Sequence, residues 1–223
     1  MTSLLLLLGA LGMACCQWLI FCYAPIEESM GITQKIFYVH LPLAWWGLIS
    51  FLIVFVASLL FLCKHRPVYM RLAKAAGEIG ELLAVLTVLT GIIWGKTAWG
   101  VWWTWDPRLT TALVLCFLYA GWLMLHGLDF PEERKQKLCA VTGILAFLDV
   151  PLVFISSRIW RTIHPAVFTS QGIQMSQEML ITVLCALFAF GLFYAGLLRL
   201  RFACLNAQAR LASLRENTFA NPA

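Results

Sequence analysis

Charge is scarce in this sequence: Asp, Glu, Lys and Arg together make up only 12% of its 223 residues. A soluble domain is roughly a quarter charged and about half apolar. This chain is 61% hydrophobic, with a mean hydropathy of +0.84. No stretch has the composition of a separate soluble domain, so residues 1–223 are expected to form a single polytopic membrane domain. The eight cysteines (15, 16, 22, 63, 116, 139, 185 and 204) form no Cys-x-x-Cys pair. That argues against a thiol redox centre and for buried small hydrophobes. A nucleotide-binding glycine pattern, internal repeats and low-complexity tracts are also missing, so any energy source lies elsewhere or the process runs downhill. Residues 1–24 lack both a basic leader and a small-x-small cleavage site, and are expected to be retained as a first span.

What is present is a series of six apolar runs, at about 3–24, 41–63, 79–95, 109–127, 138–156 and 177–199. Each is close to the roughly 20 residues a helix needs to cross a bilayer. The runs are continuous rather than alternating, which predicts an all-α membrane protein of six spans. Basic residues are unevenly shared among the connections. Lys64, Arg66, Arg71, Lys74, Arg134, Lys135, Lys137, Arg199, Arg201, Arg210 and Arg215 make 11 of the 16, all on one side. The positive-inside rule puts that side in the cytoplasm together with both termini. The tail after residue 199 is expected to be a short amphipathic helix that frays.

The three outer connections, about 25–40, 96–108 and 157–176, carry the unusual residues. Trp94, Trp99, Trp102, Trp103 and Trp105 are half of the ten tryptophans, within twelve residues. An interfacial aromatic belt explains single tryptophans, such as Trp18, Trp45 or Trp122, better than it explains this cluster. If the stretch is helical, Trp99, Trp102, Trp103 and Asp106 share a face at i, i+3, i+4 and i+7. Such a face is a platform for a large planar ligand. Plain membrane anchoring is the competing reading.

Asp106 and Pro107 form an N-cap and first helical residue for the fourth span. Arg108 would then lie at the boundary, able to hold a carboxylate in a bidentate pair. Of the four histidines, His65 and His126 fall on the cytoplasmic side. His40 and His164 fall on the outer side, each close before a proline, and Pro42 is expected to open the second span. Each could be a structural, hydrogen-bonded histidine. Two on one face beside an aromatic platform also suit axial ligation of haem iron.

The stretch WGKTAWGVWWTWDPRLT, residues 94–110, closely resembles the Trp-rich WWD motif of the haem-handling proteins of cytochrome c biogenesis. Six spans, with one outer histidine before the motif and one after it, resemble the CcmC (haem exporter protein C) family over nearly the whole chain. The larger relatives CcmF and CcsA have more spans. The resemblance implies that His40 in KIFYVHLP and His164 in IWRTIHP hold the iron of haem b. It also implies that Trp99, Trp102, Trp103, Trp105 and Asp106 form an interfacial haem platform that meets the acceptor, with Lys35 and Arg108 toward the propionates.

The implied function is non-enzymatic. Haem is presented at the periplasmic face of the bacterial cytoplasmic membrane and passed to the chaperone CcmE, beside the ABC-type subunits CcmA and CcmB and the small protein CcmD. The alternatives are a haem lyase-like enzyme or a small-solute permease subunit. Lys35 departs from the arginine expected of the family and is a weaker bidentate partner. Asp149, with Pro151, is an intramembrane acid to which the resemblance gives no role. Its expected state is protonated or paired with Arg158.

Overall fold

The computed structural model describes residues 1–28, 30–159, 168–169, 172–173 and 175–220. Helix α1 (Thr2–Trp18) runs into a π-helical turn, Leu19–Tyr23, and a 3-10 turn, Ile32–Ile36, leads into α2 (Phe37–Lys64). Next come α3 (Pro67–Trp99), α4 (Pro107–Leu125), α5 (Glu132–Phe147), α6 (Asp149–Ile159) and α7 (Gln177–Ala220). Two short strands, β1 (Phe168–Thr169) and β2 (Gly172–Ile173), pair antiparallel with Phe168 opposite Ile173. Among the described residues six helical stretches are long and apolar enough to cross a membrane: Thr2–Tyr23, Ile32–Lys64, Pro67–Trp99, Pro107–Leu125, Glu132–Ser156 and Gln177–Arg215. The six expected spans are therefore observed.

Several boundaries differ from expectation, each for a local reason. The third span is a 33-residue helix rather than a short one, because Pro67 at its N-terminus starts it well before the apolar run. Pro42 does not open α2. It is the sixth residue of that helix, and His40 is the fourth. Lacking an N–H, Pro42 forgoes the bond to the Tyr38 carbonyl. The fifth span is broken: Leu148 N–H bonds the Leu145 carbonyl at 3.1 Å, in a tightened last turn before Asp149 starts α6. Pro151 likewise cannot bond back to Phe147. Asp149 is 7% exposed, and its Oδ2 has no hydrogen-bond partner among the described residues. Its expected pairing with Arg158 lies outside the described side chains. The tail is not a separate helix, because α7 continues without interruption into it.

Packing follows the rule for lipid-embedded helices, in which small residues let backbones approach. α2 packs chiefly on α3, and α1 on α7. A methyl group built on Gly9 would fall 2.5 Å from the Phe193 backbone nitrogen, so α1 and α7 touch backbone to backbone there. The α2–α3 register is antiparallel. It sets Ser50 against Gly80, Gly47 against Leu83 and Ala84, and His40 against Gly91. At the basic end the core closes around Trp122. Its Nε1 donates to the Cys139 carbonyl at 2.7 Å, and a Cβ on Gly143 would fall 2.9 Å from that nitrogen. Phe51 and Tyr119 stack with centroids 3.7 Å apart, both fully buried. A second cluster at the opposite end joins Ile20, Phe37, Tyr38, Trp94 and Met179.

Beyond the apolar segments, the extended ends of α3 and α7 are joined by polar contacts. Arg201 holds Glu78 in a two-pronged ion pair, and Arg71 Nε donates to Asn206 Oδ1 at 2.6 Å. A fork-to-carboxylate pair fixes angle as well as distance. It therefore sets how the end of α7 lies along α3.

Gly9→Leu should overpack the α1–α7 contact and cost about 1–3 kcal/mol. Gly121→Ala, where an added Cβ meets nothing within 4 Å, should be nearly neutral. Thermal unfolding of the detergent-solubilised protein measures both.

Candidate functional site

The last turns of α3 carry one wall of the site. Trp94 is 7% exposed and meets His40 edge to face, with ring centroids 5.7 Å apart. One turn further on, Trp99 stacks on Trp94 at 6.3 Å with planes 25° apart. His40 enters from the first turn of α2. Its Nδ1 lies 2.9 Å from the Thr90 hydroxyl, and its Cε1 is 3.3 Å from where a Cβ on Gly91 would be. The imidazole thus lies across Thr90, Gly91 and Trp94 of α3.

The tryptophan stretch is not one helix. α3 ends at Trp99 because Gly100 adopts the left-handed conformation (φ 76°) and its N–H bonds the Lys96 carbonyl at 3.1 Å. That is a glycine C-cap, which a side chain would strain. At the far side Pro107 disfavours helix in the residue before it. Asp106 is accordingly extended (ψ 139°) and N-caps α4, its Oδ1 accepting from Arg108 N–H at 2.9 Å. The expected helical face of Trp99, Trp102, Trp103 and Asp106 is therefore replaced by a helix end, a short irregular loop and a new helix start.

The loop still displays flat surface. Trp102 is 60% and Trp105 is 76% exposed. Trp103 meets Trp105 edge-on at 5.7 Å, and its Nε1 is buried without a partner among the described residues. Lys96 lies over the Trp102 ring at 5.7 Å and also donates to the Gly100 carbonyl at 3.0 Å. A narrow crevice of about 10 Å³ lies between Gly91, Gly95 and Trp99 of α3 and the loop residues Trp102, Trp103 and Thr104. That is below the roughly 300–1,000 Å³ of an enclosing small-molecule site. A large planar ligand would lie against this wall, with the exposed indoles beside it. Gly91 belongs both to the crevice and to the seat of His40, so the imidazole and the tryptophan loop share one wall.

Arg108 lies half-buried at the start of α4 beside buried Asp106. Lys35, expected toward a ligand carboxylate, has other partners. It is 8% exposed, and its ammonium donates to the carbonyls of Ile20 at 2.5 Å, Phe21 at 3.4 Å and Ala24 at 3.5 Å. These carbonyls close the first span, where a cation is favoured by the helix dipole. His164 and most of the third connection lie outside the described residues. Thr90, Gly91 and Trp94 complete the seat of His40 although the sequence pattern does not single out the first two.

The family model described as CcmC, Heme exporter protein C, matches residues 1–216. The chain is 34% identical over 176 residues to Heme exporter protein C of Bradyrhizobium diazoefficiens, covering 78% of this chain and 67% of that one. It is 29% identical to Heme exporter protein C of Rhodobacter capsulatus, covering 88% and 82%. A ccmC-like mitochondrial protein of cytochrome c biosynthesis from Marchantia polymorpha is 32% identical, covering 78% and 74%.

Asp106→Ala should remove the cap of α4 and cost about 1 kcal/mol, whereas Asp106→Asn, which caps equally well, should retain most of that stability. Thermal unfolding of the two variants separates the capping role of this carboxylate from its charge.

Proposed function

The chain belongs to the Heme exporter protein C family, and from that membership we propose that it holds haem b on the His40–tryptophan wall and passes it to the chaperone CcmE. The coarser function follows from the family itself: a multi-pass membrane component that handles haem in cytochrome c biogenesis. The observation that carries the finer reading is the shared wall, in which His40 and the tryptophan loop meet through Gly91 and Trp94. An imidazole beside broad, exposed indole surface fits the iron and the faces of a porphyrin together.

In this reading haem supplies an iron that takes imidazole nitrogens on its axis. His40 holds one side and His164, from the third connection, holds the other. Trp102 and Trp105 cover the macrocycle while leaving part of it open to the acceptor. Arg108 meets the propionates, and Lys96, beside Trp102, adds a second rim charge. Lys35 serves the site indirectly, by closing the first span beneath it. The uneven basic residues support an orientation with termini and basic connections in the bacterial cytoplasm and the haem wall at the periplasmic face. The ABC-type subunits CcmA and CcmB and the small protein CcmD are the partners of this assembly, and the chain itself carries out no covalent chemistry on haem.

The purified protein should show a Soret band with low-spin, six-coordinate features. In His40→Ala and His164→Ala haem affinity should fall at least as far as the roughly 10–100-fold that losing a ligand's supporting partner costs. Absorption spectra after haem titration measure this. A His40→Ala, His164→Ala double variant with normal haem content would overturn the axial assignment.

A further inference from the structure

Helix α3 meets the Nδ1 of His40 through the Thr90 hydroxyl, and that contact fixes whether this nitrogen carries a proton. The Thr90 hydroxyl has a single proton to donate. Its oxygen lies 2.9 Å from the Leu86 carbonyl and 3.0 Å from the Thr87 carbonyl, the back-bonding positions of a threonine inside a helix. Carbonyls can only accept, so the proton goes to them. Toward His40, at 2.9 Å from Nδ1, the same oxygen is then an acceptor, and Nδ1–H is the donor. A neutral imidazole protonated at Nδ1 has its lone pair at Nε2.

We propose that Thr90 is the positioning residue of the site: it locks His40 as the Nδ1–H tautomer and so aims the Nε2 lone pair as the iron ligand. Gly91 supplies the second half of the device. With no side chain there, the imidazole edge lies against α3, where a Cβ would stand 3.3 Å from Cε1. Trp94 closes the seat from one turn further along, edge to face at 5.7 Å. Three neighbouring positions of one helix thus set the tautomer, depth and tilt of a ring from another. Outer partners of ligating histidines fix ring orientation in this way and raise ligand basicity. The iron-binding part of the inference rests on the function proposed above. The tautomer does not, and is a property of the haem-free protein.

The test uses the full chain with ¹⁵N-labelled histidine, the His40 signals being those lost in His40→Ala. In haem-free wild type, His40 should carry its proton on Nδ1; a predominant Nε2–H form overturns the proposal without any variant at Thr90. Thr90→Val keeps the shape and removes the acceptor. It should abolish the Nδ1–H preference, lower haem affinity about 10–100-fold and shift the iron midpoint potential, with the melting temperature little changed. Thr90→Ser should restore all three. Gly91→Ala should weaken haem binding while leaving the tautomer in place. Retention by Thr90→Val of both the tautomer and an affinity within twofold of wild type rejects the role of Thr90. Normal haem affinity in His40→Ala rejects the iron-site reading instead, while the ¹⁵N spectra still decide the tautomer.

Discussion

The antiparallel register of α2 against α3 is the constraint on which the rest of the molecule depends. In lipid there is no hydrophobic gain from pressing two apolar helices together, so close packing must come from small residues that let backbones meet. Gly80 receives Ser50 and Phe51, Gly47 faces Leu83 and Ala84, and three turns beyond Gly80 the same ridge brings Gly91 under His40. One register therefore closes the core and seats the imidazole. A slip of a single residue along α3 would turn the helix by about 100° and carry Thr90, Gly91 and Trp94 away from His40 together.

The tryptophan loop depends on this pair in turn. Its near end is α3 itself, which Trp99 ends by stacking on Trp94, and Gly100 turns the chain out. Its far end is fixed where Asp106 caps α4 before Pro107. Between two such anchored points a short irregular segment has little freedom, since each end is set by a rigid helix. Indoles that would be costly to leave on a soluble surface are suited to the boundary between lipid and water. This is how exposed Trp102 and Trp105 can persist without a core of their own.

The opposite end is organised by polar contacts. The pairs Arg201–Glu78 and Arg71–Asn206 bind the extensions of α7 and α3, while Trp122 fills the space left by Gly143 and donates to α5. Breaking α5 from α6 at Leu148 leaves Asp149 buried in the bundle with an oxygen that has no partner among the described residues. Both proline positions inside spans, 42 and 151, interrupt backbone bonding, Pro42 at a buried position and Pro151 at an exposed one.

Hydropathy alone determined the number of spans and their approximate places, because a bilayer imposes length and apolarity on any helix that crosses it. Asp106-Pro107 was equally legible as a helix start, since capping is a local interaction between residues two apart. The density of tryptophan before it marked the site for the same reason of local composition. The shape of that site was decided elsewhere. A face at i, i+3, i+4 and i+7 requires a helix through residue 106, and the left-handed Gly100 ends the helix first. Lys35 carries a charge that the family resemblance assigns to a ligand, yet the turn of α1 into a π-helix brings three carbonyls to it from more than ten residues away. Thr90 and His40 are fifty residues apart. Nothing in either segment specifies their meeting, because the bond between them exists only once two whole helices have packed.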